Sequence, residues 1–137
     1  MARPGNACTV LVVHDHESMR LLVGRILSQE LGVRIVLAGT CEQALHLADE
    51  TVYDTIVLDL LMPGIGGFEV LKEIRSHPPN MSTPIIVVTV VSDPKMQEQC
   101  ESAGANAYLV KPIERATLAA AVKAQIAGRK RAPRPKS

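Results

Sequence analysis

Aromatic side chains are almost missing from this chain: Phe68, Tyr53 and Tyr108 are 2% of 137 residues, tryptophan is absent, yet hydrophobic residues make up 47%. An interior with so few rings must be filled by Val, Leu, Ile and Ala, which favours β-branched strands beneath aliphatic helices. No apolar run approaches the ~20 residues that a bilayer span needs. Residues 1–7 lack the apolar stretch of a signal peptide, so the chain reads as cytoplasmic and without a membrane segment. Only three cysteines occur, Cys8, Cys41 and Cys100, widely spaced and free of any Cys-x-x-Cys pair. That excludes a disulfide framework and a cysteine zinc site, and leaves them as small core residues in a reducing compartment. No G-x-G-x-x-G follows a strand-like run, which argues against a dinucleotide fold.

The near-zero net charge of +1 hides an asymmetry. Arg129, Lys130, Arg131, Arg134 and Lys136 hold five of the 15 basic groups, so residues 1–128 set ten basic groups against all 14 acids, a net of −4. The length suits one domain with a single core, here residues 1–127. Residues 128–137, basic and carrying Pro133 and Pro135, read as a disordered tail or linker. Five charges without an aromatic give only weak, salt-sensitive contact with nucleic acid, so no nucleic-acid role is assigned to the domain.

The chain is organised around residues 54–67. A strand-length apolar run, Ile56, Val57 and Leu58, delivers one carboxylate, Asp59, before Pro63 and Gly64 break the chain and a helical pattern starts at Phe68. An acid can simply stop a strand. At the carboxyl end of a parallel strand, however, it also faces the crevice where ligands bind.

The rest repeats the same alternation. Residues 8–13 form an apolar run that ends at His14, Asp15 and His16, and Met19, Leu22, Val23, Ile26 and Leu27 then recur at helical spacing, with Glu17 or Ser18 as cap and Gly32 as stop. Residues 33–38 read as a buried strand, and Thr40 with Gln43 forms a capping box before Cys41, Ala44, Leu45 and Ala48. Phe68, Leu71 and Ile74 face inward on the third helix. Residues 85–91 are the strongest strand signal, followed by an Asp93 cap with Pro94 in the first helical turn. The fourth helix, to about Ala103, has a thin apolar face of Met96, Cys100 and Ala103. A last strand over residues 107–110 leads into Lys111, Pro112 and a helix with Leu118, Ala121, Val122 and Ile126. Five strands alternate with five helices, an α/β (βα)5 architecture with a doubly wound parallel five-stranded sheet.

Polar groups cluster at the strand ends: His14, Asp15 and His16 after the first, Asp59 after the third, Thr89 after the fourth and Lys111 after the fifth. Right-handed crossovers bring these ends to one edge. Two carboxylates suit a hard divalent cation such as Mg²⁺, and a hydroxyl and an ammonium suit the oxygens of a phosphoryl group carried by Asp59.

These motifs resemble those of the response-regulator receiver domains of two-component signalling. The resemblance is carried by Val12-Val13-His14-Asp15, Leu58-Asp59-Leu60-Leu61-Met62-Pro63, Val88-Thr89 and Tyr108-Leu109-Val110-Lys111-Pro112, and spans residues ~8 to 127. It implies a flavodoxin-like fold with strand order 2-1-3-4-5 and a cis Lys111-Pro112 peptide. It implies Asp59 as phosphoacceptor, Asp15, Asp59 and the Leu61 main-chain carbonyl as Mg²⁺ ligands, Lys111 as the partner ammonium, and Thr89 and Tyr108 as switch residues. The implied function is a phosphoacceptor switch in a phosphorelay, a signalling domain rather than an enzyme, although it assists its own phosphorylation and dephosphorylation. The implied partners are a histidine kinase or phosphotransfer protein, a downstream output domain or protein, and a second copy across the fourth helix, fifth strand and fifth helix.

Three departures from the family pattern stand out. His14 replaces the first of two adjacent acids, which makes it an atypical metal ligand and weakens the Mg²⁺ site. Val90 follows Thr89 where the family has a small residue, and Gly66 stands where an Asp is usual. The positions that in this family line the water route to the phosphoaspartate, Leu61 and Val91, are both apolar here. The other reading is a pseudo-receiver, an interaction module that keeps the fold and works without phosphorylation. Retention of Asp15, Asp59, Thr89 and Lys111 favours the switch.

Overall fold

The computed structural model of the chain describes residues 8–131. Five strands, β1 (Thr9–Val13), β2 (Arg34–Ala38), β3 (Thr55–Asp59), β4 (Ile85–Thr89) and β5 (Ala107–Val110), alternate with five helices, α1 (Glu17–Leu31), α2 (Cys41–Glu50), α3 (Gly66–Ser76), α4 (Pro94–Ser102) and α5 (Arg115–Arg131). All pairings are parallel and the order is β2-β1-β3-β4-β5, the expected doubly wound arrangement.

The period-2 geometry of a strand divides the apolar residues between two cores. Leu11, Val13, Ile56, Leu58, Ile85 and Val87 point to the side covered by Cys41, Ala44, Ala48, Val70, Leu71, Ile74 and Cys100 of α2, α3 and α4. Val10, Val12, Val57, Ile86 and Val88 point to the other side, under Val23, Ile26, Leu27, Leu118 and Val122 of α1 and α5. Helices on both faces explain why the central strands are continuous apolar runs.

Local chemistry sets most boundaries. Gly32 closes α1 at φ 66°, Thr40 accepts the Gln43 N–H at 3.0 Å while the Gln43 side chain accepts the Gly39 N–H at 2.8 Å, and Asp93 caps α4 through the Lys95 N–H at 3.0 Å. Beneath α2, buried Asn80 donates to the carbonyls of Ala48 and Thr51 and accepts from the Tyr53 N–H and the Thr83 hydroxyl, so one amide fixes the entry to β3.

Several expectations need correction. The residue preceding α1 is His16, which makes no side-chain cap, so neither Glu17 nor Ser18 fills that role. Leu22 lies outward, because α1 seats on Val23, Ile26 and Leu27 and leaves the flank of the stripe at the rim. Strand β2 is an edge strand and only half-buried. Strand β4 stops at Thr89, and Val90, 61% exposed, belongs to the following loop. Phe68 is half-buried and α3 already begins at Gly66. The last helix continues to Arg131, so residues 128–131 are helical rather than part of a disordered tail. Ala, Arg and Lys sustain a helix well. Residues 132–137 of the expected tail lie outside the described residues. Among the described residues no helix is long and apolar enough to cross a membrane.

Candidate functional site

The carboxyl ends of β1 and β3, adjacent in the sheet, bring two loops together. Asp59 is the last residue of β3 and His14 the first after β1, and each is 4% exposed. The His14 N–H continues the ladder to the Ala38 carbonyl at 3.1 Å, and Arg20 donates to the His14 carbonyl at 2.8 Å, so both backbone groups of His14 are fixed. Asp15 follows on the rim with a part-exposed carboxylate. Donor atoms of His14, Asp15 and Asp59 all lie within 4.8 Å of one another. Lys111, placed by the turn after β5, completes the group.

The shortest contact in this group is not an ion pair. Lys111 Nζ is 2.7 Å from His14 Nε2 and 3.8 Å from Asp59 Oδ1, while His14 Nε2 is 3.6 Å from Asp59 Oδ2. On the other side of the ring, the His16 N–H points at Nδ1 from 3.1 Å, and Asp15 Oδ1 is 3.6 Å away. Donors therefore face both ring nitrogens, although a neutral imidazole has only one lone pair to offer.

The electrostatics follow from burial. Burial pushes the Asp59 carboxyl above its usual range, against the pull of His14, Lys111 and the Leu61 N–H, which donates to Oδ1 at 3.3 Å. Burial likewise lowers His14; Asp59 opposes this and Lys111 reinforces it. A buried imidazole beside an ammonium stays neutral. The position that the resemblance assigns to an acid therefore holds an uncharged group.

Thr89 and Tyr108 form a second group. Thr89 is fully buried at the end of β4, and its Oγ1 accepts the Val91 N–H at 3.2 Å. The Tyr108 hydroxyl donates to the Val91 carbonyl at 2.8 Å. Leu61 turns its side chain to solvent and its main chain toward Asp59. The Lys111-Pro112 peptide is cis, and so is Pro78-Pro79.

Gly67 escaped the reading of the sequence. A Cβ there would overlap the Asp59 carbonyl and lie 2.7 Å from Leu60 Cα, while the Gly67 N–H donates to the Leu60 carbonyl at 2.9 Å. Helix α3 therefore starts directly against the backbone at the end of β3. The only sequence signal is the Gly66-Gly67 doublet, which also fits an ordinary turn.

Residues 10–123 match the model of the response regulator receiver domain, and the chain belongs to that family. It is 32% identical over 122 residues to the response regulator GacA of Pseudomonas aeruginosa, covering 88% of this chain and 56% of GacA. It is 35% identical over 111 residues to the sensory/regulatory protein RpfC of Xanthomonas campestris, covering 80% of this chain and 15% of RpfC. The chain thus spans about half or less of these relatives. Among solved structures, the receiver domain of a Pseudomonas aeruginosa sensor histidine kinase, with magnesium coordinated in its active-site cleft, superposes with a TM-score of 0.80 at 30% identity, over 88% of this chain and 98% of that one. The Vibrio cholerae chemotaxis protein CheY4 gives a TM-score of 0.80 at 31% identity, over 86% and 98%.

Proposed function

We propose that this domain is a phosphorylation switch in which Asp59 accepts a phosphoryl group from a phosphohistidine of a histidine kinase or phosphotransfer protein. The observation that carries the reading is the buried Asp59 carboxylate, which meets Lys111, His14 and Asp15 at the converging ends of β1, β3 and β5. An Asp59 oxygen attacks phosphorus, the P–N bond breaks, and the departing imidazole takes up a proton. Lys111 is within a short swing of the new phosphoryl oxygens, and the Thr89 hydroxyl, whose oxygen accepts the Val91 N–H, keeps its own O–H to donate to one of them. Positioned cationic and hydroxyl donors are what phosphoryl transfer asks of a protein.

A divalent cation fits part of this donor set. The Asp15 and Asp59 carboxylates and the Leu61 main-chain carbonyl are oxygen ligands of the kind Mg²⁺ takes, whereas the His14 imidazole is not. When bound, such an ion supplies positive charge for the phosphoryl oxygens. The readout follows from Thr89 and Tyr108, which hold one residue, Val91, between them, and from α4, whose one fully buried side chain is Cys100. The face of α4, β5 and α5 would then meet an output domain or a second copy. The meeting of acid and ammonium, with Thr89 at the end of the neighbouring strand β4, supports this reading over a pseudo-receiver, and the domain acts as a signalling element of the cell interior rather than as an enzyme with a separate substrate.

The test is to incubate the chain with a small phosphodonor and Mg²⁺ and follow intact mass. One phosphoryl group, labile to hydroxylamine and absent from Asp59→Asn, is expected. A wild-type chain that gains no phosphoryl group under conditions that load another receiver would overturn the reading.

A further inference from the structure

A neutral imidazole can satisfy one donor, and His14 is offered two: the Lys111 ammonium at Nε2 and the His16 N–H at Nδ1. The side chain is only 6% exposed, so bulk water does little to relieve the mismatch. Whichever tautomer forms, one N–H points at another donor. A cation that takes the single lone pair at Nδ1 displaces the His16 N–H, which belongs to an exposed residue and can turn to solvent, and obliges the donor at Nε2 to find another acceptor.

The side on which this can happen is Nδ1. It is the nitrogen that faces Asp15, whose Oδ1 is 3.6 Å away and whose carboxylate is open to solvent, so an ion can enter there. Once Nδ1 is a ligand, Nε2 must carry the proton, and its nearest acceptor is Asp59 Oδ2 at 3.6 Å. That gives a metal-bound histidine whose second nitrogen donates to a carboxylate, the usual outer support of such ligands. It also removes the lone pair that Lys111 uses. The ammonium then shifts from His14 toward Asp59 Oδ1, which it already faces from 3.8 Å.

Resting on Asp59 as the acceptor, we infer that His14 is a ligand that turns this site from Mg²⁺ toward first-row divalent ions that take imidazole nitrogen, such as Co²⁺, Ni²⁺ or Zn²⁺, and that ion entry at Nδ1 releases Lys111 from His14. Oxygen-only sites suit Mg²⁺, and a mixed nitrogen and carboxylate set suits these ions better. Ion choice and the position of Lys111 are therefore linked through a single ring.

The experiment uses the full chain and the ions alone. Titration calorimetry with Co²⁺ and with Mg²⁺ on wild type, His14→Asp and His14→Asn gives the ratio of the two affinities. The wild-type ratio is expected to favour Co²⁺ by about 10-fold or more over that of His14→Asp, and the preference disappears in His14→Asn. Proton NMR of the Co²⁺ form should show one hyperfine-shifted imidazole N–H that is lost in His14→Asn and kept in His16→Asn. Equal ratios in wild type and His14→Asp, or a shifted signal that survives His14→Asn, would overturn the inference. Loading of Asp59 by a phosphodonor is read separately by mass. A chain that takes the phosphoryl group yet shows no cobalt preference sinks this inference alone, and one that prefers cobalt but is never phosphorylated sinks the proposed function alone.

Discussion

Thr89 and Tyr108 hold the same residue from opposite ends: the threonine oxygen accepts the Val91 N–H at 3.2 Å, and the tyrosine hydroxyl donates to the Val91 carbonyl at 2.8 Å. Neither needs to touch the other for their positions to be linked. Rotation of the Thr89 side chain toward a phosphoryl group on Asp59 would carry its oxygen away from the Val91 N–H, and the loop leading into α4 would lose one of its two anchors.

This linkage is measurable as non-additivity. Thr89→Val and Tyr108→Phe should each destabilise the domain, and the double variant should lose less than the sum, with a coupling of about 0.5–1 kcal/mol. Urea denaturation of the four proteins gives the cycle. Strict additivity would mean that Val91 does not connect the two residues.

Gly67 should be intolerant of any side chain. Gly67→Ala places a methyl group against Leu60 Cα and the β3 backbone, at an expected cost of about 1–3 kcal/mol. Gly128→Ala, where nothing lies within 4 Å, should instead stabilise α5 by about 0.5–1 kcal/mol. A Gly67→Ala protein as stable as wild type would show that α3 can move away from the acceptor strand without penalty.

The buried Asp59 carboxyl is a stability liability. Burial raises the folded pKa of Asp59 above its unfolded value, so its contribution favours folding below the unfolded value and is lost as pH rises through the folded one. Near pH 7.5, without divalent ions, Asp59→Asn should have a higher Tm than wild type, and the gap should narrow as pH falls. An equal or lower Tm for the variant would show that Lys111 and the Leu61 N–H already compensate the buried charge.

Much of this arrangement was legible before any coordinates. The apolar runs, their caps and the polar residues at their ends depend on local chemistry, so the order of elements and the meeting of Asp15, Asp59 and Lys111 could be read directly. What could not be read depends on packing between distant segments. Leu22 has helical spacing but lies beyond the part of α1 that the sheet covers, and Val90 continues an apolar run after the sheet has ended. The Gly67 requirement comes from the approach of α3 to β3, and the bond between Lys111 and His14 joins residues 97 apart in sequence.

The lifetime of the phosphorylated state should be long. Leu61 and Val91, two residues past Asp59 and Thr89, carry apolar side chains, so neither can hydrogen-bond an attacking water. Giving both a polar group, in the Leu61→Asn, Val91→Glu double variant, should speed loss of phosphate by about 10-fold to 100-fold once the donor is removed. Wild-type phosphate lost within seconds, or a variant that decays no faster, would contradict this expectation and point to water reaching Asp59 by another route.

The most direct test of the central claim is to locate the phosphoryl group by chemistry. An aspartyl phosphate is reduced by borohydride to homoserine, so the chain is loaded with a small phosphodonor, reduced, digested and sequenced by mass spectrometry. The expected result is homoserine at position 59 in wild type and at no position in Asp59→Asn. Homoserine at position 15, or a phosphoryl group that survives in Asp59→Asn, would contradict the account.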